Sequence, residues 1–380
     1  MDERADWLRL IKLPGLAVAA KRRLLARFGS PAAVLGASGD ALEGVAARHV
    51  AALAAGRQAE VDAELAWLAV GEGRDLVTLA DPRYPPQLAA TPGAPLALFT
   101  IGDAAQLAAR QVAIVGSRNP TPAGAATATA LAAALAKAGI HVTSGLAVGI
   151  DAAAHHGALA GGGATVAVTG CGPDRIYPRA NTGLFHAIAG GGGVIASEFI
   201  PGTPPIGANF PRRNAVIAGL ALGVLVVEAA ARSGSLITAR QAGDMGREVF
   251  AVPGPIQSPL TKGAHRLLRD GAKLVETVED ILEELPDAGA DTVTLDGALN
   301  KADSAPAASG VGTAATKFEK TVLDAIGFTP AAADEIIGRT GLDAQTVSAI
   351  LMEMELRGVV AICPGGSYVR VPASAQQVNA

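Results

Sequence analysis

Cysteine is almost absent. Cys171 and Cys363 are the only two in 380 residues. They cannot build a disulfide framework and lack metal-ligand spacing, so a reducing cytoplasm fits. A strong positive balance is also missing, the formal net charge being −4. A nucleic-acid binder of this composition must therefore concentrate its cations locally. Long apolar runs are lacking too. The run 214–227 is shorter than the ~20 residues of a membrane span, so no membrane association is expected. The start, Met1-Asp2-Glu3-Arg4-Ala5-Asp6, is charged with no apolar signal core behind it, which reads as unexported.

Several catalytic and cofactor signatures are absent. There is no G-K-[ST] and hence no Walker ATP site. Gly170-Cys171-Gly172-Pro173-Asp174-Arg175 begins like a dinucleotide fingerprint, but Arg175 stands where its third Gly belongs. With that Gly replaced, NAD is not expected. The adjacent His155 and His156 cannot both point one way on a helix, so no metal site is expected. Cys171 lacks a committed His partner and reads as inert. No catalytic residue and no cofactor is assigned.

What is present is a patterned core. Half the residues are hydrophobic, and the length suggests two or three domains. Apolar runs at 111–115, 140–144, 164–169, 193–197, 223–227 and 248–252 alternate with Ala-rich helical stretches. Fully apolar strands in such alternation predict an α/β fold, a parallel sheet covered by helices on both faces. This domain is expected over 80–285. Residues 1–75 read as short helices around Pro14-Gly15, followed by Lys21, Arg22, Arg23 and Arg27. That pattern fits either a helix-hairpin-helix gripping a DNA backbone or a small bundle with a solvated basic face. Residues 286–316 lose apolar periodicity and read as a flexible linker. Residues 317–372 pattern as three helices and a hairpin, a winged helix. Thr329-Pro330 is expected to open its second helix and Asp343 its third. Five cations against seven acids there, with Glu353 and Glu355 on the helix that would enter a groove, favour a protein partner over DNA.

The candidate chemistry gathers where the strands should end. Phe210-Pro211-Arg212-Arg213-Asn214 is expected in a loop between two strands. Its guanidiniums suit phosphate oxygens and its ring suits a base. The alternative makes Phe210 a loop anchor. Arg232-Ser233-Gly234-Ser235-Leu236-Ile237-Thr238 reads as a second phosphate loop leading into a helix. From 205 to 240 four Arg face one acid, Glu228. Gly116-Ser117-Arg118 follows the first apolar run, either as an anion loop or as a plain turn. Ser144-Gly145 to Gly149 permits a tight anion-accepting loop, with Asp151 expected as the N-cap of the next helix. Gly170 and Gly172 flank a third loop. Glu228 either orients Arg212, Arg213 and Arg232 or acts as a general base.

This ordered set of loops resembles the DNA-processing protein A family, also called DprA or Smf, strongly over 80–285. Tyr177-Pro178, Asn181, Ser197-Glu198, Gly219-Leu220, Pro253-Gly254 and Gly271-Ala272 belong to the resemblance. It implies a Rossmann-like core that binds single-stranded DNA at these loops, dimerises through that core, and loads the RecA recombinase on incoming DNA in natural transformation, without catalysis, cofactor or metal. Ala215, Gly207 and His265 depart from the family pattern, the first two by removing positive charge from the pocket mouth. A nucleotide hydrolase of the phosphoribohydrolase type is the alternative, but its P-G-G-x-G-T loop is missing here.

Overall fold

The computed structural model describes residues 3–38, 53, 60–91, 93–286, 317–326, 330–363 and 366–371. The chain divides into two compact units, the first built from Met1–Pro120 and Thr127–Glu283, the second from Thr121–Ala126 and Glu284–Ala380. The linker expected at 286–316 lies, from 287 on, outside the described residues.

Every apolar run of the central region is a strand: β3 Gln111–Gly116, β4 His141–Ser144, β5 Thr165–Val168, β6 Val194–Ser197, β7 Gly223–Val227 and β8 Glu248–Ala251. Before them come β1 Arg74–Thr78 and β2 Ala97–Gly102, and after them β9 Lys273–Leu274. The sheet order is β1-β2-β6-β5-β4-β3-β7-β8-β9. From β6 to β9 every pairing is parallel. β1 and β2 add an antiparallel edge that the sequence reading did not contain, so the sheet is mixed.

Strand residues alternate between two cores, as the period-2 pleat requires. Val166, Val168, Val194 and Ala196 join Val216, Ile217 and Leu220 on one face. Ala167 and Ile195 join Leu184, Phe185 and Ile188 on the other. The covering helices are α5 Pro122–Lys137, α6 Ile150–Ala160, α7 Thr182–Gly190, α8 Asn209–Leu220, α9 Ser235–Asp244 and α10 Lys262–Arg269, numbered after four helices among the described residues of the N-terminal region, the short helix Pro86–Ala89 being left unnumbered. Those four are α1 Glu3–Ile11, α2 Val18–Phe28, α3 Pro31–Gly36 and α4 Asp62–Ala69. Trp7, Leu8, Leu10 and Leu24 pack with Leu76 and Phe99 of β1 and β2. The basic run on α2 is not a solvated face throughout. Lys21 is buried, and Arg22 donates to the carbonyls of Thr91 and Ala89 at 2.5 and 2.6 Å.

The second unit holds α11 Lys317–Ile326, α12 Ala333–Thr340, α13 Ala344–Leu356 and a sheet ordered β10-β12-β11, from Ala331–Ala332, Val360–Cys363 and Ser367–Arg370. Val322, Ile326, Ile336, Val347, Leu351 and Met354 form its core, giving a winged helix. Asp343 caps α13 by accepting from the Thr346 amide at 2.9 Å. The expected opening of α12 at Thr329-Pro330 is corrected. Its N-cap is Ala332, after the short β10, and Thr329 lies outside the described residues.

Candidate nucleic-acid interface

The parallel strands reverse their order of addition between β3 and β7, which pair directly. In an open α/β sheet such a switch point leaves a crevice beyond the strand ends. A cavity of about 470 Å3 sits there. Its lining includes Gly116 and Arg118 after β3, Asp151 of α6, Phe210, Arg213 and Asn214 of α8, and Ser233, Gly234 and Thr238 at α9.

The segment Phe210 to Asn214 is not a loop. It forms the first turn of α8, which starts at Asn209. Pro211 misleads at sequence level because proline fits a first helical turn, where its missing N–H has no intrahelical partner. On a helix, neighbours diverge by about 100°, and the two arginines part company. Arg213 is buried at 6% exposure. Its Nη1 donates to the carbonyls of Gly145 and, at 2.9 Å, Val168, and its Nε to Asn214 Oδ1 at 3.0 Å. Arg212 points away, its Nη2 on Glu198 Oε2 at 2.9 Å and its guanidinium 4.9 Å from the centre of Phe199. The carboxylate that meets Arg212 is therefore Glu198, where the sequence suggested Glu228. Glu228 ends β7 in a left-handed conformation with φ 49°.

Asp151 is not the N-cap of α6, a position Gly149 holds. Its Oδ2 instead accepts from the Gly145 amide at 3.1 Å and the Ala147 amide at 3.4 Å. Burial pushes its carboxyl up, while Arg213 and the two amides pull it back. Burial likewise pulls Arg213 down, opposed by Asp151. Together they clamp the 145–149 loop. Gly149 takes φ 84°, and a Cβ there would meet the backbone of Ser117 and Arg118. Only glycine lets the two loops close so tightly.

Phe210 is half-buried. Tyr177 lies 6.0 Å from it, centre to centre, at 37°. Arg118 and Arg213 stand 5.8 and 5.7 Å from its ring centre. Beneath it lies Gly170, where a Cβ would sit 2.9 Å from Phe210 Cδ1. Tyr177 is 45% exposed; the sequence marked it only within the family resemblance, without a separate binding role. Arg118 is exposed, so an exposed cation and two rings meet at one mouth.

The remaining candidates divide between the cavity and the frame around it. Ser144 is buried, its hydroxyl spent on the Ile114 carbonyl at 2.6 Å. Thr238 is buried while bordering the cavity. Gly172 donates its amide to Thr203 at 2.9 Å. Ser117 accepts from the Ile150 amide through its carbonyl at 3.0 Å. Ser233 and Ser235 hydroxyls share a 2.6 Å hydrogen bond at the start of α9. Arg232 is exposed and lines a neighbouring cavity with Arg240 and Arg266. Cys171 is buried, and burial pushes its thiol up. Among the described residues no group of His, Cys, Asp and Glu could hold a metal, and no helix is long and apolar enough to cross a membrane.

A family model described as DNA recombination-mediator protein A matches residues 75–286, and one described as the DprA winged helix domain matches 303–366. Protein Smf of Escherichia coli is 41% identical over 318 residues, 82% of this chain and 81% of that protein. The X-ray structure of DNA processing protein A from Streptococcus pneumoniae superposes with a TM-score of 0.62 and 35% identity, over 74% of this chain and 98% of that one. DNA processing protein A from Helicobacter pylori, whose structure is described by its single-stranded DNA binding mode, gives 0.51 and 30% over 56% and 98%.

Proposed function

We propose single-stranded DNA binding as the function of this chain, which belongs to the DNA recombination-mediator protein A (DprA/Smf) family. The observation that carries the reading is the mouth of the switch-point cavity, where exposed Arg118 stands over the ring of Phe210 with Tyr177 alongside. A guanidinium holds a phosphate and a ring face holds any base, so a strand is gripped with little sequence preference. The single-strand binding described for the Helicobacter pylori relative supports it. Asn214, Ser233 and Gly234 add polar groups to the same wall. Arg213 and Asp151 hold the frame rather than the ligand.

The wider role follows the family. The chain acts in the cytoplasm as a homodimer joined through its Rossmann-like unit and hands incoming single strands to the RecA recombinase during natural transformation. It works by binding, without a chemical step. The test is fluorescence anisotropy with a labelled oligothymidylate, beside incubation with AMP and detection of free adenine. Binding by the wild type, weaker binding in Arg118→Gln and no adenine support the reading. Turnover of AMP, or unchanged binding in folded Arg118→Gln, contradicts it.

A further inference from the structure

Lys21 on α2 is a buried cation without a counter-ion. It is 6% exposed, and among the described residues it makes no ion pair. Its ammonium donates to the carbonyl of Ile11, the last residue of α1, at 2.5 Å. The end of a helix offers only a partial negative charge. The charge that does act on Lys21 is a like one, the Arg212 guanidinium. Burial first, and Arg212 second, lower its pKa from 10.5 to about 8. An ammonium in such surroundings is costly unless something anionic joins it.

There is room for that anion. Lys21 and Arg212 line one cavity of about 440 Å3, where α1, α2 and the turn between them meet the sheet. Ile11, Leu16, Val18 and Leu96 form apolar walls, and Glu198 is the one acid of the lining. Glu198 takes one donor from Arg212, and burial pushes its carboxyl up. With Glu198 ionised the three groups sum to one positive charge, and with it protonated to two. Lys21 has three N–H donors and Arg212 five, enough to hold the Ile11 carbonyl, Glu198 and a ligand together.

We propose that this cavity is a phosphate-binding subsite, in which a phosphate group supplies the counter-charge that Lys21 lacks, with Arg212 beside it. The phosphate comes from the bound strand itself or from a free nucleotide. Arg212 lies two residues from Phe210 on α8, about 200° round the helix, so a strand seated on Phe210 reaches it only by passing round that first turn. The strand source rests on the single-strand reading above. The subsite itself does not.

Two measurements on the full chain test this. Thermal melting is followed with and without inorganic phosphate in wild type, Lys21→Met and Arg212→Gln. Anisotropy with labelled oligothymidylate is followed from pH 7 to 9 in the same three proteins. Phosphate is expected to raise the wild-type Tm and leave both variants unmoved. Strand affinity of the wild type is expected to fall up to about tenfold over that range as Lys21 loses its proton, and to stay flat in Lys21→Met. Of the other groups around the cavity, burial pushes the Glu198 carboxyl up and drives the nearby Tyr84 phenol upward. Their titration would show in wild type and Lys21→Met alike, whereas that of Lys21 disappears in Lys21→Met. Should Lys21→Met fail to fold, the exposed Arg212→Gln still decides the phosphate arm. A phosphate effect in wild type without the pH-dependent strand effect assigns the site to a free phosphate. Phosphate stabilisation with no strand binding at any pH keeps the subsite and removes the single-strand reading. No phosphate stabilisation, with one pH profile shared by wild type and Lys21→Met, overturns the proposal and leaves Lys21 as a cap of α1.

Discussion

Arg213 and Asp151 hold Gly145 from opposite sides, the guanidinium on its carbonyl and the carboxylate on its amide. Both side chains are buried. Removing one partner strands the other charge in a poorly solvated site, which costs about 3–5 kcal/mol. Arg213→Ala is therefore expected to lower stability by that order in urea unfolding, well beyond an exposed-arginine change. A loss under about 1 kcal/mol would show that the clamp is not needed.

The Phe210 ring should separate stacking from charge. Phe210→Ala is expected to cost roughly 1–3 kcal/mol of strand affinity with an unchanged salt slope. Gly170→Ala pushes a methyl against the ring from below and should lower affinity in the same direction while leaving every cation in place. Anisotropy over a salt series checks both, with melting curves to show that the proteins are folded. Full affinity in folded Phe210→Ala would leave a purely electrostatic mouth.

Acid should unfold this protein partly through His155. The Thr165 hydroxyl donates to the Val142 carbonyl at 2.6 Å, so His155 Nδ1 is the donor in its 2.7 Å bond to Thr165. Burial, with smaller contributions from His156 and Arg213, lowers the His155 pKa from 6.5 to about 3. The folded state keeps the ring neutral while the unfolded chain takes a proton below 6.5. Stability is thus complete above pH 6.5 and is lost as pH falls toward 3, by up to about 1.4 kcal/mol per unit. His155→Leu should lack this share of the slope in pH-dependent unfolding. Identical slopes would assign the acid limb to other groups.

The winged helix should be dispensable for the strand. Glu353 and Glu355 are exposed on α13, where they would repel phosphates. A chain ending at Leu285 is expected to keep its oligonucleotide affinity. A tenfold loss, about 1.4 kcal/mol, would assign this unit a DNA contact.

How much of this was legible in the sequence follows from what each residue meets. The six central strands were legible because both their faces are buried, so they read as continuous apolar runs. β9 has two exposed residues, and β1 and β2 lie among short helical stretches, which masks their period-2 pattern. The loops at the strand ends were legible as glycine and arginine clusters. Their division of labour was not. Arg212 and Arg213 look alike in sequence, and only the helical turn sends one inward to Gly145 and the other to Glu198. Lys21 looked like part of a solvated run, since nothing local shows that the sheet covers it.

The most direct test of single-strand binding is a competition between one labelled oligonucleotide and its duplex across a salt series. The single strand is expected to bind more tightly at every salt concentration, its affinity falling steeply as counterions are released. The slope should flatten by about 0.7 for the single phosphate contact removed in Arg118→Gln. Equal affinity for duplex and single strand, with a slope that Arg118→Gln leaves untouched, would contradict the account.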